Sequence, residues 1–172
     1  MQKILIIGSG GAGKSTLARE LSKILKLEVI HLDTFYWQSG WVETSKTEWE
    51  NIIQDLIMRE SWIMDGNYSN TLDIRLSVAD TVIFLDFPRL LCLWRIIQRR
   101  WQYAHKSRPD MALGCPERLN WEFLKYVWSY PIIRRPKILD KLRKVAPHQQ
   151  VFILHQPTEV KEFLQKISQT FM

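Results

Sequence analysis

The chain has 172 residues, 46% of them hydrophobic and 24% charged, and its 24 Lys and Arg against 18 Asp and Glu give a formal charge of +6. That size and balance fit one soluble globular domain spanning 1–172 with a substantial core. The longest apolar runs, such as Ile4–Ile7 and Val82–Phe87, are of strand length and too short to cross a membrane. Cys92 and Cys115 stand apart without the spacing of a zinc or disulfide framework. No signal-peptide pattern precedes the first apolar run, so a cytoplasmic location is expected.

The first element predicted is a strand, Ile4-Leu5-Ile6-Ile7, which runs into Gly8-Ser9-Gly10-Gly11-Ala12-Gly13-Lys14-Ser15-Thr16 and then into the helical spacing of Leu17-Ala18-Arg19-Glu20-Leu21. Strand, glycine turn and helix form the setting of a phosphate-binding loop. Glycines let successive N–H groups turn inward, and the helix adds its positive dipole end. Lys14 is placed to reach the β- and γ-phosphates of ATP, and the Ser15 hydroxyl to ligate Mg²⁺. Gly8, Gly10 and Gly13 also spell a dinucleotide-binding fingerprint, with Asp33 at the distance of a ribose-binding acid. Lys14 and Ser15 decide against it, because a dinucleotide site has no use for either.

A second strand is expected over Glu28–Asp33, with Asp33 at its end, followed by an aromatic loop through Tyr36, Trp37 and Trp41 that turns at Gly40. Asp33 is the candidate to accept the proton of an attacking hydroxyl, with a cap for Thr34-Phe35 as its structural alternative. The three aromatic side chains either stack a planar or sugar-like acceptor or pack in the core. An amphipathic helix follows from Thr47, capped by Ser45 or Thr47. Trp62–Asp65 reads as a third strand ending at Gly66, and Asp80–Asp86 as a fourth stopped by Pro88. Asp65 is the first candidate for the Mg²⁺-associated acid, with Asp86 competing for the role.

Leu90–Tyr103 is expected to be a helix, Pro109–Gly114 a loop and Pro116–Trp128 a second helix. Pro131 and Pro136 interrupt before a helix over Ile138–Val145. Val151–Leu154 is the last strand, and Thr158 caps the last helix. Two basic clusters lie here, Arg95, Arg99, Arg100, Lys106 and Arg108, and then Arg134 to Lys144; Trp94, Trp101, Trp121 and Trp128 share the region. Such clusters favour anionic partners, phosphates or nucleic acid, although a solvated face suits Lys141–Lys144. Arg99 and Arg135 are the candidates to neutralise charge on a migrating phosphoryl group. The four histidines have no metal spacing and read as incidental. Alternating strands and helices predict a mostly parallel sheet covered on both faces, with ligands at the carboxyl ends of the strands.

With these residues in place, the chain resembles the adenylate-kinase-like nucleoside and nucleotide kinases, and within them the small bacterial DNA topology modulation proteins. The resemblance rests on Gly8–Thr16, His31-Leu32-Asp33, Trp62–Tyr68, Val82–Asp86 and Arg95–Arg100. It implies a three-layer α/β P-loop NTPase fold whose five-stranded parallel sheet has the order 2-3-1-4-5, use of ATP with Mg²⁺, and a helical lid over about 100–137. It also implies an adenine seat at Gln156-Pro157-Thr158. In the family an arginine after the third strand grips an acceptor monophosphate. Here that stretch reads Asp65-Gly66-Asn67-Tyr68-Ser69, and Arg75 is the candidate to take its place. The expected function is phosphoryl transfer from ATP to a small nucleoside, nucleotide or other hydroxyl compound. The alternatives are a nucleotide-dependent DNA-binding regulator and a plain NTPase.

Overall fold

A computed structural model describes residues 1–103, 110–116 and 120–171. Lys106, Arg108 and parts of the expected 109–114 loop and 116–128 helix lie outside the described residues. Strand β1 (Lys3–Gly8) leads to α1 (Lys14–Leu25), β2 (Val29–His31) and a short α2 (Leu32–Tyr36). A hairpin of β3 (Trp37–Gln38) and β4 (Val42–Glu43) precedes α3 (Lys46–Met58) and β5 (Trp62–Asp65). A 3₁₀ turn at Ser69–Thr71, α4 (Leu72–Val78), β6 (Thr81–Leu85) and α5 (Arg89–Gln102) follow. The chain finishes with α6 (Trp121–Ile133), α7 (Arg135–Arg143), β7 (Gln150–Leu154) and α8 (Pro157–Phe171).

The main sheet is parallel, in the order β2-β5-β1-β6-β7. Counted without the hairpin strands, this is the expected order 2-3-1-4-5. The central strands are apolar over Ile4–Ile7, Trp62–Met64 and Val82–Leu85 because both faces are covered. Leu5, Ile7, Met64, Val82 and Phe84 pack on one face with Trp49, Ile53 and Leu76. Ile4, Ile6, Ile63, Ile83 and Leu85 pack on the other with Leu17, Leu21 and Phe163. One strand thus feeds two cores through its alternation.

Several expectations shift. Strand β2 stops at His31, and Asp33 lies in the first turn of α2, where an acid complements the helix dipole. The aromatic loop is that helix plus the hairpin, which turns at Gly40 with φ 80°. Ser45 is the cap of α3, its Oγ accepting from the Glu48 N–H. Pro131 does not break the chain: it lies within α6, and the bonding pattern resumes with the Arg134 N–H donating to the Tyr130 carbonyl. Pro136 lies in the first turn of α7, where its missing N–H costs nothing. At α8 the helix begins at Pro157, and Glu159, not Thr158, accepts from the His155 N–H.

Candidate functional site

The carboxyl ends of the parallel strands open into a cleft of about 950 Å³. Residues Gly10 to Thr16 line it. Gly13 adopts φ 96° and lets α1 start at Lys14, so the first N–H groups of a helix face the cleft. Gly8 and Ser9 lie beneath, their carbonyls accepting from Lys14 Nζ at 3.0 Å each. Burial pulls the Lys14 pKa down, opposed by the charges of Asp65 and Asp33.

Ser15 and Asp65 meet at the end of β5, the Ser15 hydroxyl donating to Asp65 Oδ2 at 2.6 Å. The other carboxylate oxygen lies 2.7 Å from His31 Nδ1. Burial alone lowers the His31 pKa, but the bond and charge of Asp65 outweigh it and the net shift is upward. His31 was expected to be incidental; it instead orients the acid beside the phosphate loop. Only the pairing of β2 with β5, which sets His31 beside Asp65, brings this out. Asp86 faces elsewhere: its carboxylate takes a two-pronged contact from Arg135, with Nε to Oδ1 at 2.7 Å and Nη2 to Oδ2 at 2.8 Å. His155 Nδ1 approaches Asp86 Oδ2 at 3.3 Å. Neither Asp86 nor Arg135 is among the residues lining the cleft, whereas Arg95, Arg99 and Arg134 are. Arg95 donates to the Ala12 carbonyl at 3.1 Å.

Asp33 lines the same cleft, as do Trp37 and Trp41. It accepts from the Tyr68 hydroxyl at 2.5 Å. Burial, then the Asp33 charge, push the Tyr68 pKa far up, so the phenol stays a donor. Tyr68 itself sits at φ 29°, a region non-glycine residues rarely adopt. Arg75 explains how that turn is held. Its fully buried Nη1 donates to the Gly66 carbonyl at 3.0 Å, and its Nη2 to Asn67 and Tyr68 carbonyls at 2.6 and 2.9 Å. The expectation that Arg75 grips an acceptor phosphate is therefore overturned: its donors are committed to the backbone.

Asn67, which was not singled out, joins two walls. Its Oδ1 accepts from the Gly8 N–H at 3.0 Å, and its Nδ2 donates to the Tyr126 hydroxyl of α6 at 2.8 Å. Next to it, Phe123 stacks parallel on Tyr126 and presses on Gly10, where an added Cβ would meet Phe123 Cζ at 2.5 Å. Segment 110–116 docks on the hairpin through the Gly114 carbonyl, which accepts from the Gly40 backbone N–H, and the Pro116 carbonyl, which accepts from the Trp41 indole N–H. Pro157, Val160 and Leu164 supply an apolar wall at the expected adenine seat.

Among the described residues no group of three or more His, Cys, Asp or Glu side chains is placed to hold a metal ion. The paired oxygens of Ser15 and Asp65 suit a hard cation whose remaining ligands are phosphate and water oxygens. No helix of the described residues is long and apolar enough to cross a membrane.

The fold is similar to that of solved kinase structures. Shikimate kinase from Acinetobacter baumannii, solved with shikimate, superposes with a TM-score of 0.61 at 18% identity over 99% of this chain and 92% of that one. A gluconokinase from Sinorhizobium meliloti gives a TM-score of 0.52 at 15% identity, over 99% and 93% of the two chains. At such identities the likeness is one of fold. No protein-family model matches the chain. The chain belongs to the family of the uncharacterised protein YqaC of Bacillus subtilis, to which it is 32% identical over 132 residues, 75% of this chain and 72% of YqaC.

Proposed function

We propose that the chain is an ATP-dependent kinase that phosphorylates a hydroxyl group of a small acceptor. One observation carries this reading: a single cleft holds both the phosphate loop with its Ser15–Asp65 pair and the Asp33–Tyr68 pair, beside Trp37 and Trp41. An NTPase without an acceptor needs no such second pair. The solved P-loop kinases of like fold support the reaction class, and the finer kinship with DNA topology modulation proteins rests on His31-Leu32-Asp33 and Trp62–Tyr68. We read 1–172 as one domain with its lid over about 100–137, and a cytoplasmic location goes with the supply of ATP.

In this reading the N–H groups of Gly10 to Thr16 and Lys14 Nζ hold the β- and γ-phosphates. Gly8 and Ser9 shape the loop from below through their contacts with Lys14. Ser15 and Asp65 would hold Mg²⁺, which supplies charge neutralisation when bound, and His31 fixes the Asp65 carboxylate. The acceptor oxygen forms a bond to the γ-phosphorus as the bond to the β-bridging oxygen breaks, and ADP leaves. The acceptor's proton passes to Asp33, which Tyr68 holds in place. Arg99, with Arg95 and Arg134, neutralises the transferring group. Arg135 acts at one remove, by locking α7 to Asp86.

ADP release from Mg-ATP, measured across nucleosides, nucleoside monophosphates, hydroxy acids and sugars, tests the reading. One acceptor class is expected to raise the rate well above the acceptor-free value and to yield a phosphorylated product. No stimulation by any acceptor would overturn it in favour of a nucleotide-dependent regulator, with DNA binding as the next assay.

A further inference from the structure

Away from the cleft, α5 and α6 lie side by side and antiparallel. Arg89, at the start of α5, stacks on Trp128 late in α6 at 3.9 Å, and Arg99 near the end of α5 faces Phe123 early in α6. Both helices turn one face inward onto the phosphate loop, Cys92 and Ile96 against Gly11, Phe123 and Val127 against Gly10. Their opposite faces are exposed and, apart from Lys125, apolar. On α5 that face is Leu90, Trp94, Ile97 and Trp101, in steps of four, three and four residues. On α6 it is Trp121, Lys125, Trp128 and Ile132, in the same steps.

That spacing draws a stripe about 60° wide along each helix, with Ile133 exposed beside it on α6, closer to the seam of a coiled coil than to the broad apolar face of a helix that lies on lipid. Two cations, one beside and one within the seams, face their tryptophan rings. Arg89 covers the ring of Trp128, and Lys125 lies 5.7 Å from the centre of Trp121. Those cations compete with stacking by a base, which sequence-tolerant nucleic-acid binding requires. The area is also large. Trp94, Trp101, Trp121 and Trp128 are 56, 79, 68 and 50% exposed, which at about 250 Å² for each ring amounts to roughly 600 Å². With Leu90, Ile97 and Ile132 added, the patch approaches the ~800 Å² that each partner contributes to a standard interface. A monomer rarely leaves that much apolar surface in water.

We infer that α5 and α6 form the interface of a homodimer, in which two copies of this helix pair meet about a twofold axis as a four-helix bundle. A twofold interface needs one self-complementary patch, and two matched seams on an antiparallel pair present one. The inference does not depend on the reaction catalysed in the cleft.

Sedimentation of the full chain from about 0.1 to 100 µM tests it. A species of twice the 20.5 kDa chain mass is expected, with tryptophan emission that shifts to the red on dilution. Trp94→Glu with Trp128→Glu should raise the dissociation constant at least about 100-fold, as expected for central aromatic anchors, while the circular dichroism spectrum is unchanged. Should that pair fail to fold, Ile132→Glu alone, on a position in water in the free chain, serves the same purpose. A wild-type chain that stays monomeric throughout the range overturns the inference, as does a dimer indifferent to the seam variants. So does a monomer that loses binding to phosphatidylglycerol vesicles, or to oligo-dT, in the Trp94 variant.

Discussion

Asp33 and Tyr68 are bound to each other in the cleft, so their roles can be separated by substitution. Asp33→Asn keeps a partner for the Tyr68 hydroxyl but removes the base. Acceptor phosphorylation should fall by about 10²-fold or more, while ATP binding, followed by equilibrium dialysis, is retained. Tyr68→Phe leaves the carboxylate and should cost less. Asp80 is an acid of another kind. It takes the Gln2 and Lys3 N–H groups on Oδ2 at 2.6 and 2.9 Å and the Thr81 hydroxyl on Oδ1 at 2.7 Å, fastening the start of β1. Burial would raise its pKa, but these donors outweigh it and hold the pKa below the ordinary value of 3.8. A carboxylate with a folded pKa below its unfolded one stabilises the fold fully above the unfolded value, and that contribution is lost as pH falls through the folded one. Asp80→Asn should therefore lower the melting temperature at pH 7, with the gap to wild type closing as the pH is taken below 3.8.

At the scale of elements, two glycines with similar φ make unequal demands. Gly11 has φ 78°, and a Cβ there would run into the Cys92 carbonyl of α5; Gly40 has φ 80° and open space around it. Gly40→Ala should cost only the left-handed strain, about 1 kcal/mol. Gly11→Ala adds overpacking against backbone that cannot swing aside, about 3 kcal/mol or more in all; urea denaturation of the two variants compares them. The elements legible in the sequence were those with length and period. Strand β1 and its loop, α1, α3, α5 and the strands ending at Asp65 and near Asp86 are long enough for an apolar run or a helical face to show. Helix α2 has five residues, too few to display a period. Helix α4 was missed because Arg75, polar in sequence, occupies one of its fully buried positions. The apolar seams of α5 and α6 mask their own direction, since tryptophans at the surface read like tryptophans in a core.

Across the whole molecule, what the sequence hid are pairings between distant segments. Asp86 with Arg135, 49 residues apart, is one, and His31 with Asp65, 34 apart, is another. Types and spacing name the candidates for a site; the sheet order decides which of them share it. Because the phosphate loop is built into the centre of the sheet, ligand binding there should be felt globally. Mg-ATP at about 100 times its dissociation constant should add about 2.7 kcal/mol of stability, visible as a rise in melting temperature that Lys14→Ala abolishes. The contact of Phe123 with Gly10 sets a further condition at this scale. Gly10 needs no unusual φ, and it is the ring from α6 that leaves its position no room. The freedom of the phosphate loop to vary over evolutionary time is thus granted or withheld by a helix more than a hundred residues further along the chain. In descendants of this protein, positions 10 and 123 should be inherited as a pair.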